Sequence, residues 1–467
     1  MPAEAGPRSR QARPADATFL AIADSDSYLK WGASFRAALP AGWTFRQLIV
    51  ESPVAVSDAQ LAAAVAVSGL DPADVPRIQA VDLAAVLEAE APDVVLVALR
   101  GPGAQVVIRV ATEMAKRPVV VAGLPGISVP ATRKAIIFRR QADLFVLHSK
   151  REIREFTRLA RAHGWDRAFG LATLPFVERR PAPGGTDLVF AVQAIVPRTH
   201  TDRVRVARML VAAAAADPSK RVVVKLRAAT GERQTHDEED GYPELLAALG
   251  PLPGNLVLST ESMSTALDRA EGLVTVSSTA AIEAIARGVP VIALDTFGVS
   301  EKLINLVFEG SGLFGDEADV VARRFRHPDP AWLDDNYFHP ADQDDWMRRI
   351  AALVDARRRD ALAPAPATRQ RGGALRLAWH RQRAFGSDGT WRGRLALLVG
   401  HPARLAVRAL RRGRRALRPS PAPALPVRDP GRHPAGPTDP TPRGAAHEAA
   451  EPAAAGARAD GGAARAR

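Results

Sequence analysis

Largely apolar runs of four to six residues recur along most of the chain. Each is followed by a polar cluster and then by a stretch with helical spacing. The first half holds five such runs: Thr18–Ala23, Phe45–Val50, Asp93–Ala98, Val119–Ala122 and Leu144–Leu147. Runs without polar alternation fit strands buried on both faces of a parallel sheet. Helical spacing appears at Leu29, Trp31, Phe35 and Leu39, and over Asp58–Val67, Asp82–Glu90 and Lys150–His163. Alternating β and α segments predict a Rossmann-like half.

The pattern breaks at 178–187, a polar stretch rich in Pro and Gly that reads as a linker. It resumes with strands expected at Leu188–Val192, Arg221–Arg227, Asn255–Leu258, Leu273–Val276 and Val291–Leu294. A helix from Val204 to Ala215, capped by Thr201 or Asp202, is expected, as is an Ala/Ile-rich helix running to Arg287 and closed by Gly288. The expected organisation is a disordered N-terminus (1–17), a Rossmann-like domain (18–177), the linker (178–187), a second Rossmann-like domain (188–360), a basic amphipathic segment (361–418) and a disordered tail (419–467). The fold class is α/β, with two Rossmann-like domains facing each other across a cleft.

Composition changes this picture at one end. The net charge of +12 is not spread evenly. From residue 369 onward there are 20 Lys and Arg against 6 Asp and Glu, a balance of +14, which leaves the rest of the chain at −2. Between Arg404 and Arg418 a helical wheel puts Arg404, Arg408, Arg411, Arg412 and Arg415 on one side, and Leu405, Ala409, Leu410 and Leu417 on the other. A basic amphipathic segment at 391–418 fits an anionic membrane surface. A tail without a particular partner has the same composition. Few aromatics are interleaved with its arginines, which weighs against nucleic acid. No cysteine is present, so disulfides, thiolate metal sites and a Cys nucleophile are excluded. The polar N-terminus lacks the apolar core of a secretory signal, so a cytoplasmic protein is expected, with peripheral attachment to the inner face of the membrane.

Candidate chemistry sits where strands end, the edge at which open α/β sheets bind ligands. Asp24 and Asp26 follow the first strand and suit a general base, although both also suit a helix cap. His148 reads as a satisfied histidine more readily than as a base. Lys225 and Arg227, two apart on one face of their strand, can meet phosphate or simply face the acidic loop after them. Ser277, Ser278 and Thr279 precede a helix start, where unpaired N–H groups and the dipole favour an anion, and where Ser278 can also serve as the cap. Glu283 lies one turn further on, where it can accept from ribose hydroxyls or face solvent. Glu301 is a secondary contact candidate in the loop after the Val291–Leu294 strand. His236, amid carboxylates, lacks a metal-binding register, and no metal site is expected.

Three stretches carry a family resemblance: V-V-V-K-L-R at 222–227, S-S-T at 277–279 and E-A-I-A-R-G-V-P-V-I at 283–292. With these, residues 18–355 resemble the two-Rossmann sugar transferases of the GT-B class, in particular an uncharacterised actinobacterial group of glycosyltransferases. The resemblance implies that Ser277, Ser278 and Thr279 hold the donor phosphate and Glu283 the ribose. Lys225 and Arg227 would neutralise the leaving nucleotide, and Asp24 or Asp26 would supply the base. Arg227 stands where related families place histidine, and no His-Pro follows. The implied partners are a nucleotide-sugar donor, which is a substrate, and a glycan or lipid-linked acceptor. Neither a cofactor nor a metal is implied. The same fold serves nucleotide-sugar epimerases, and a non-catalytic, membrane-associated protein of degenerate transferase fold is the reading from a different class.

Overall fold

The computed structural model describes residues 16–54, 56–226, 240–367 and 373–386, with scattered helical positions between 391 and 402. The chain divides into a unit of residues 1–406 and a unit of residues 407–467, and the second lies outside the described residues. Arg227, the loop holding His236 and most of segment 391–418 also lie outside them.

Two fully parallel sheets form the first unit. Strands β1 (Thr18–Ala23), β2 (Thr44–Val50), β3 (Arg77–Ile78), β4 (Val94–Ala98), β5 (Val119–Gly123), β6 (Leu144–Leu147) and β7 (Phe169–Leu171) pair in the order β3-β2-β1-β4-β5-β6-β7. Strands β8 (Asp187–Ala191), β9 (Val222–Lys225), β10 (Leu256–Ser259), β11 (Ala270–Thr275), β12 (Val291–Leu294) and β13 (Phe314–Gly315) pair in the order β10-β9-β8-β11-β12-β13. Both sheets thus follow the 3-2-1-4-5-6 order of a Rossmann half, the first with an added edge strand. The GT-B-like expectation of two α/β halves holds. Strands β3, β7 and β13 were not expected. The first and last have two residues and the other three, too short to show an apolar run.

The two-sided burial has the predicted cause. Along β1, Phe19, Ala21 and Ala23 face one apolar layer while Leu20 and Ile22 face another. Along β8, Val189 and Ala191 join the layer that holds Phe19, while Leu188 and Phe190 face a third. One core layer therefore draws on both sheets, and all five β1 side chains from Phe19 to Ala23 are buried.

After β13 the chain returns to the first sheet. Helix Trp346–Arg358 packs there, with Trp346 against Phe35 at a ring separation of 4.7 Å. Asp345 extends the first sheet's edge, its N–H donating to Leu171 O (3.0 Å) and its Oδ1 accepting from Leu171 N (2.8 Å). Arg357 donates to Asp93 at 2.7 Å. Helix Gly373–Phe385 lies along helix Gly101–Thr112, and Phe385 packs over Gly103. No helix among the described residues is long and apolar enough to cross a membrane.

Candidate functional site

In each sheet the order reverses between two neighbouring strands whose connections leave in opposite directions. These switch points are β1/β4 and β8/β11, the places at whose carboxyl ends open α/β sheets bind ligands. Most of the expected site residues fall at one or the other.

At β1/β4, Asp24 is buried and its Oδ2 takes the Arg100 Nε at 3.0 Å. Arg100 also donates to Ser52 Oγ (2.9 Å), which in turn donates to the Asp24 carbonyl (3.1 Å). Burial raises the Asp24 pKa, and the Arg100 guanidinium opposes it. The carboxylate is thus committed to a strand-end brace. Asp26, half-buried in the first turn of helix Asp26–Ser34, is the carboxylate of the pair that reaches solvent. His148 is committed as well. Its Nε2 accepts from Trp31 Nε1 at 2.7 Å and its Nδ1 donates to Ala172 O at 2.9 Å. Burial lowers its pKa to about 4, so the ring stays neutral.

At β8/β11 the turn after β11 is held by a residue that the sequence did not single out. Gln193 Oε1 accepts from Ser277 N (2.8 Å) and Thr275 Oγ1 (3.2 Å), and Gln193 Nε2 donates to Ser277 Oγ (3.1 Å). Thr275 Oγ1 also accepts from Ser278 N at 3.1 Å. The following helix spans only Ala280–Ala286, shorter than expected. Its N-cap is Thr279, which makes no side-chain cap bond. Ser278 instead accepts from Ala280 N at 3.2 Å. The expected cap at Thr201 or Asp202 likewise moves: helix His200–Ala216 is capped by Thr199, which accepts from Asp202 N. The one signal for Gln193 was position, since it follows the first strand of the second half as Asp24 follows that of the first.

Lys225 closes β9, paired with Ala191 at the end of β8, and it is 7% exposed. Among the described residues, its ammonium donates only to the neighbouring Leu226 carbonyl. Burial lowers its pKa, while Glu261 and Glu283 pull the other way. Glu283 pairs with Lys30 of the first half at 3.7 Å, and Lys30 lies 4.8 Å from the centre of the Phe176 ring. Glu301 is exposed in the loop after β12. Among the described residues, no group of three or more His, Cys, Asp or Glu stands together as a metal site.

The halves meet at this turn. A β-carbon at Gly126 would stand 2.8 Å from Thr279 Oγ1, so only glycine allows that approach. The Gly126 loop is anchored by Glu152, fully buried, which accepts from Ser128 N (2.8 Å), His148 N (2.8 Å) and Tyr337 OH (2.6 Å). Burial raises the Glu152 pKa against these bonds. Tyr337 comes from the returning segment, so the connection that joins the halves also braces the loop at their contact. Neither Glu152 nor Tyr337 carries a sequence motif.

Comparison with known proteins places these features in context. The model of a family described as "Putative glycosyltransferase (DUF6716)" matches residues 19–353. Among curated proteins no match is found. Similar solved structures include a "putative UDP-N-acetylglucosamine 2-epimerase" from Listeria monocytogenes, at 13% identity and TM-score 0.49, covering 76% of this chain and 100% of the other. A UDP-GlcNAc 2-epimerase from Methanocaldococcus jannaschii, solved with UDP-GlcNAc and UDP, has 12% identity and TM-score 0.48, covering 72% and 99%. One from Neisseria meningitidis bound to UDP-GlcNAc has 12% identity and TM-score 0.43, covering 73% and 100%.

Proposed function

The chain belongs to this glycosyltransferase family, and from that premise we propose that it moves a sugar from a nucleotide-sugar donor to a glycan or lipid-linked acceptor. The observation that carries the reading is the second switch point. The buried hydroxyl of Ser277 stands there beside Ser278 and Thr279, and the buried ammonium of Lys225 ends β9, the neighbour of β8; among the described residues both have donors in excess of acceptors. Buried donors without acceptors are costly, and a diphosphate supplies the missing oxygens and charge.

In this reading Ser277, Ser278 and Thr279 hold the donor phosphates, and Lys225 with Arg227 offsets the charge that grows on the departing nucleotide. Glu283 takes the ribose and Glu301 touches the sugar. Asp26 removes the proton of the acceptor hydroxyl, and Asp24 holds Arg100 at the acceptor side. Cationic side chains supply the leaving-group stabilisation, so the transfer is metal-independent. The protein works in the cytoplasm. The basic segment at 391–418, in which Trp391, Leu395 and Leu398 are exposed, rests on the anionic inner face of the membrane where a lipid-linked acceptor for envelope polysaccharide would be reached.

The test incubates the full chain with UDP-, GDP-, CDP- and TDP-sugars plus a membrane lipid extract, with and without a chelator. Nucleotide release that requires the extract and survives the chelator supports the reading. Conversion of a donor to its epimer without acceptor would replace it with the epimerase reading.

A further inference from the structure

Ser277 is one of the most enclosed polar residues at the second switch point, at 5% exposure. Its hydrogen-bond polarity is fixed by its neighbours. The Ser277 N–H can only donate, so the Gln193 oxygen must face it, 2.8 Å away. The oxygen also takes the Thr275 hydroxyl, which agrees with that orientation. The Gln193 nitrogen is then turned to Ser277 Oγ and donates to it at 3.1 Å. One lone pair of the serine is thereby occupied by a fixed donor. The hydroxyl hydrogen points elsewhere, and no acceptor for it is present among the described residues.

We propose that Gln193 is a positioning residue for the donor phosphate: by donating to Ser277 Oγ, it commits the serine hydroxyl to donate its own hydrogen to a phosphate oxygen. This deepens the donor-site reading above and rests on it. A carboxylate at 193 would still accept from Ser277 N, but it would also accept the Ser277 hydroxyl hydrogen. That reverses the serine and adds a negative charge beside the phosphate. A protonated Glu at 193 restores a donor in the amide's place.

The experiment is calorimetric titration of the full chain, Gln193→Glu, Ser277→Ala and the double variant. The ligands are UDP, GDP, ADP, CDP and TDP and the matching nucleosides, at pH 8 and pH 5. The wild type should bind one diphosphate at least about tenfold more tightly than its nucleoside. At pH 8, Gln193→Glu should lose about tenfold or more in diphosphate affinity and change nucleoside affinity by less than about twofold. Relative to wild type at the same pH, most of that loss should return at pH 5. The double variant keeps the added charge but has no serine hydroxyl left to reverse, so it should lose less relative to Ser277→Ala than Gln193→Glu loses relative to wild type. Equal diphosphate affinity of Gln193→Glu and wild type at pH 8, or equal loss of diphosphate and nucleoside, overturns the assignment while leaving the donor site intact. Independent, additive losses in the double variant also overturn it. Absence of any diphosphate binding by the wild type overturns the donor-site reading, and this inference with it.

Discussion

Lys225 tests whether the switch point is built for an anion or merely tolerates a buried charge. Replacing it with Met keeps the length and apolar stem and removes the ammonium. In the free protein Lys225 is 7% exposed and its ammonium donates, among the described residues, only to the Leu226 carbonyl. Its desolvation is therefore poorly offset, and Lys225→Met should stabilise the free protein by roughly 1–2 kcal/mol. For a domain of this size that raises Tm by roughly 2–8 °C. Binding should move the other way. A charge-assisted bond to phosphate is worth about 1.5–3 kcal/mol, so nucleoside diphosphate affinity should fall about ten- to a hundredfold. The stability gain has its own pH signature. With the folded pKa lowered below 10.5, the unfolded chain holds the proton longer as pH rises. Wild-type stability then recovers toward pH 10, and the advantage of the variant narrows. Differential scanning fluorimetry from pH 7 to 10, with and without nucleotide, reads all three effects. A lower Tm for Lys225→Met together with unchanged nucleotide affinity would refute the reasoning, because Lys225 would then be a satisfied core residue.

Three further outcomes are expected. His148 is held neutral in the fold with a pKa of about 4, whereas the unfolded chain protonates it below about 6.5. Its contribution is complete above pH 6.5 and is lost down to about pH 4, by roughly 3 kcal/mol; as pH is lowered from 7 to 4, urea midpoints should fall more steeply in wild type than in His148→Gln, and equal slopes would contradict this. Gly126→Ala forces the β-branched Thr279 to rotate away, so nucleotide affinity should drop several-fold with little change in Tm, and the loss should vanish in a Thr279→Ala background. Tyr337→Phe removes one bond to the buried Glu152, worth about 1.5–3 kcal/mol, while Glu152→Ala also strands the Ser128 and His148 amides at about 1–3 kcal/mol each; denaturant curves should rank Glu152→Ala as the less stable of the two, and the reverse order would show that the anchor lies elsewhere.

The two-sheet fold was readable because its strands are buried on both faces. Runs such as Val94–Ala98 and Val119–Gly123 leave no room for polar alternation, and the polar stretch before β8 (Asp187–Ala191) separates the two sets. The edge strands Arg77–Ile78 and Phe314–Gly315 were not readable, since two residues carry no period. For the site, strand-end position was the useful signal: Ser277–Thr279 follow β11, at the second switch point, and Lys225 ends β9, the neighbour of β8. Which polar groups are already satisfied was only partly legible. His148 read as a satisfied histidine and is one, held by Trp31 and Ala172, but Asp24 read as a candidate base and is held by Arg100. Those partners lie 117, 24 and 76 positions away. Gln193 escaped notice for the same reason, because its bonds to Ser277 span 84 positions.

The central claim is that the turn Ser277–Thr279 and Lys225 form a nucleotide-sugar donor site. Its most direct test is a thermal-shift titration of the full chain and of Ser278→Ala with UDP, GDP, CDP, CMP and their sugar conjugates. The account predicts a saturable rise in Tm with one nucleotide series, abolished or strongly weakened in the variant, whose own Tm stays within about 2 °C of wild type. A folded wild type that shifts with none of them, or a shift that persists unchanged in Ser278→Ala, would contradict it.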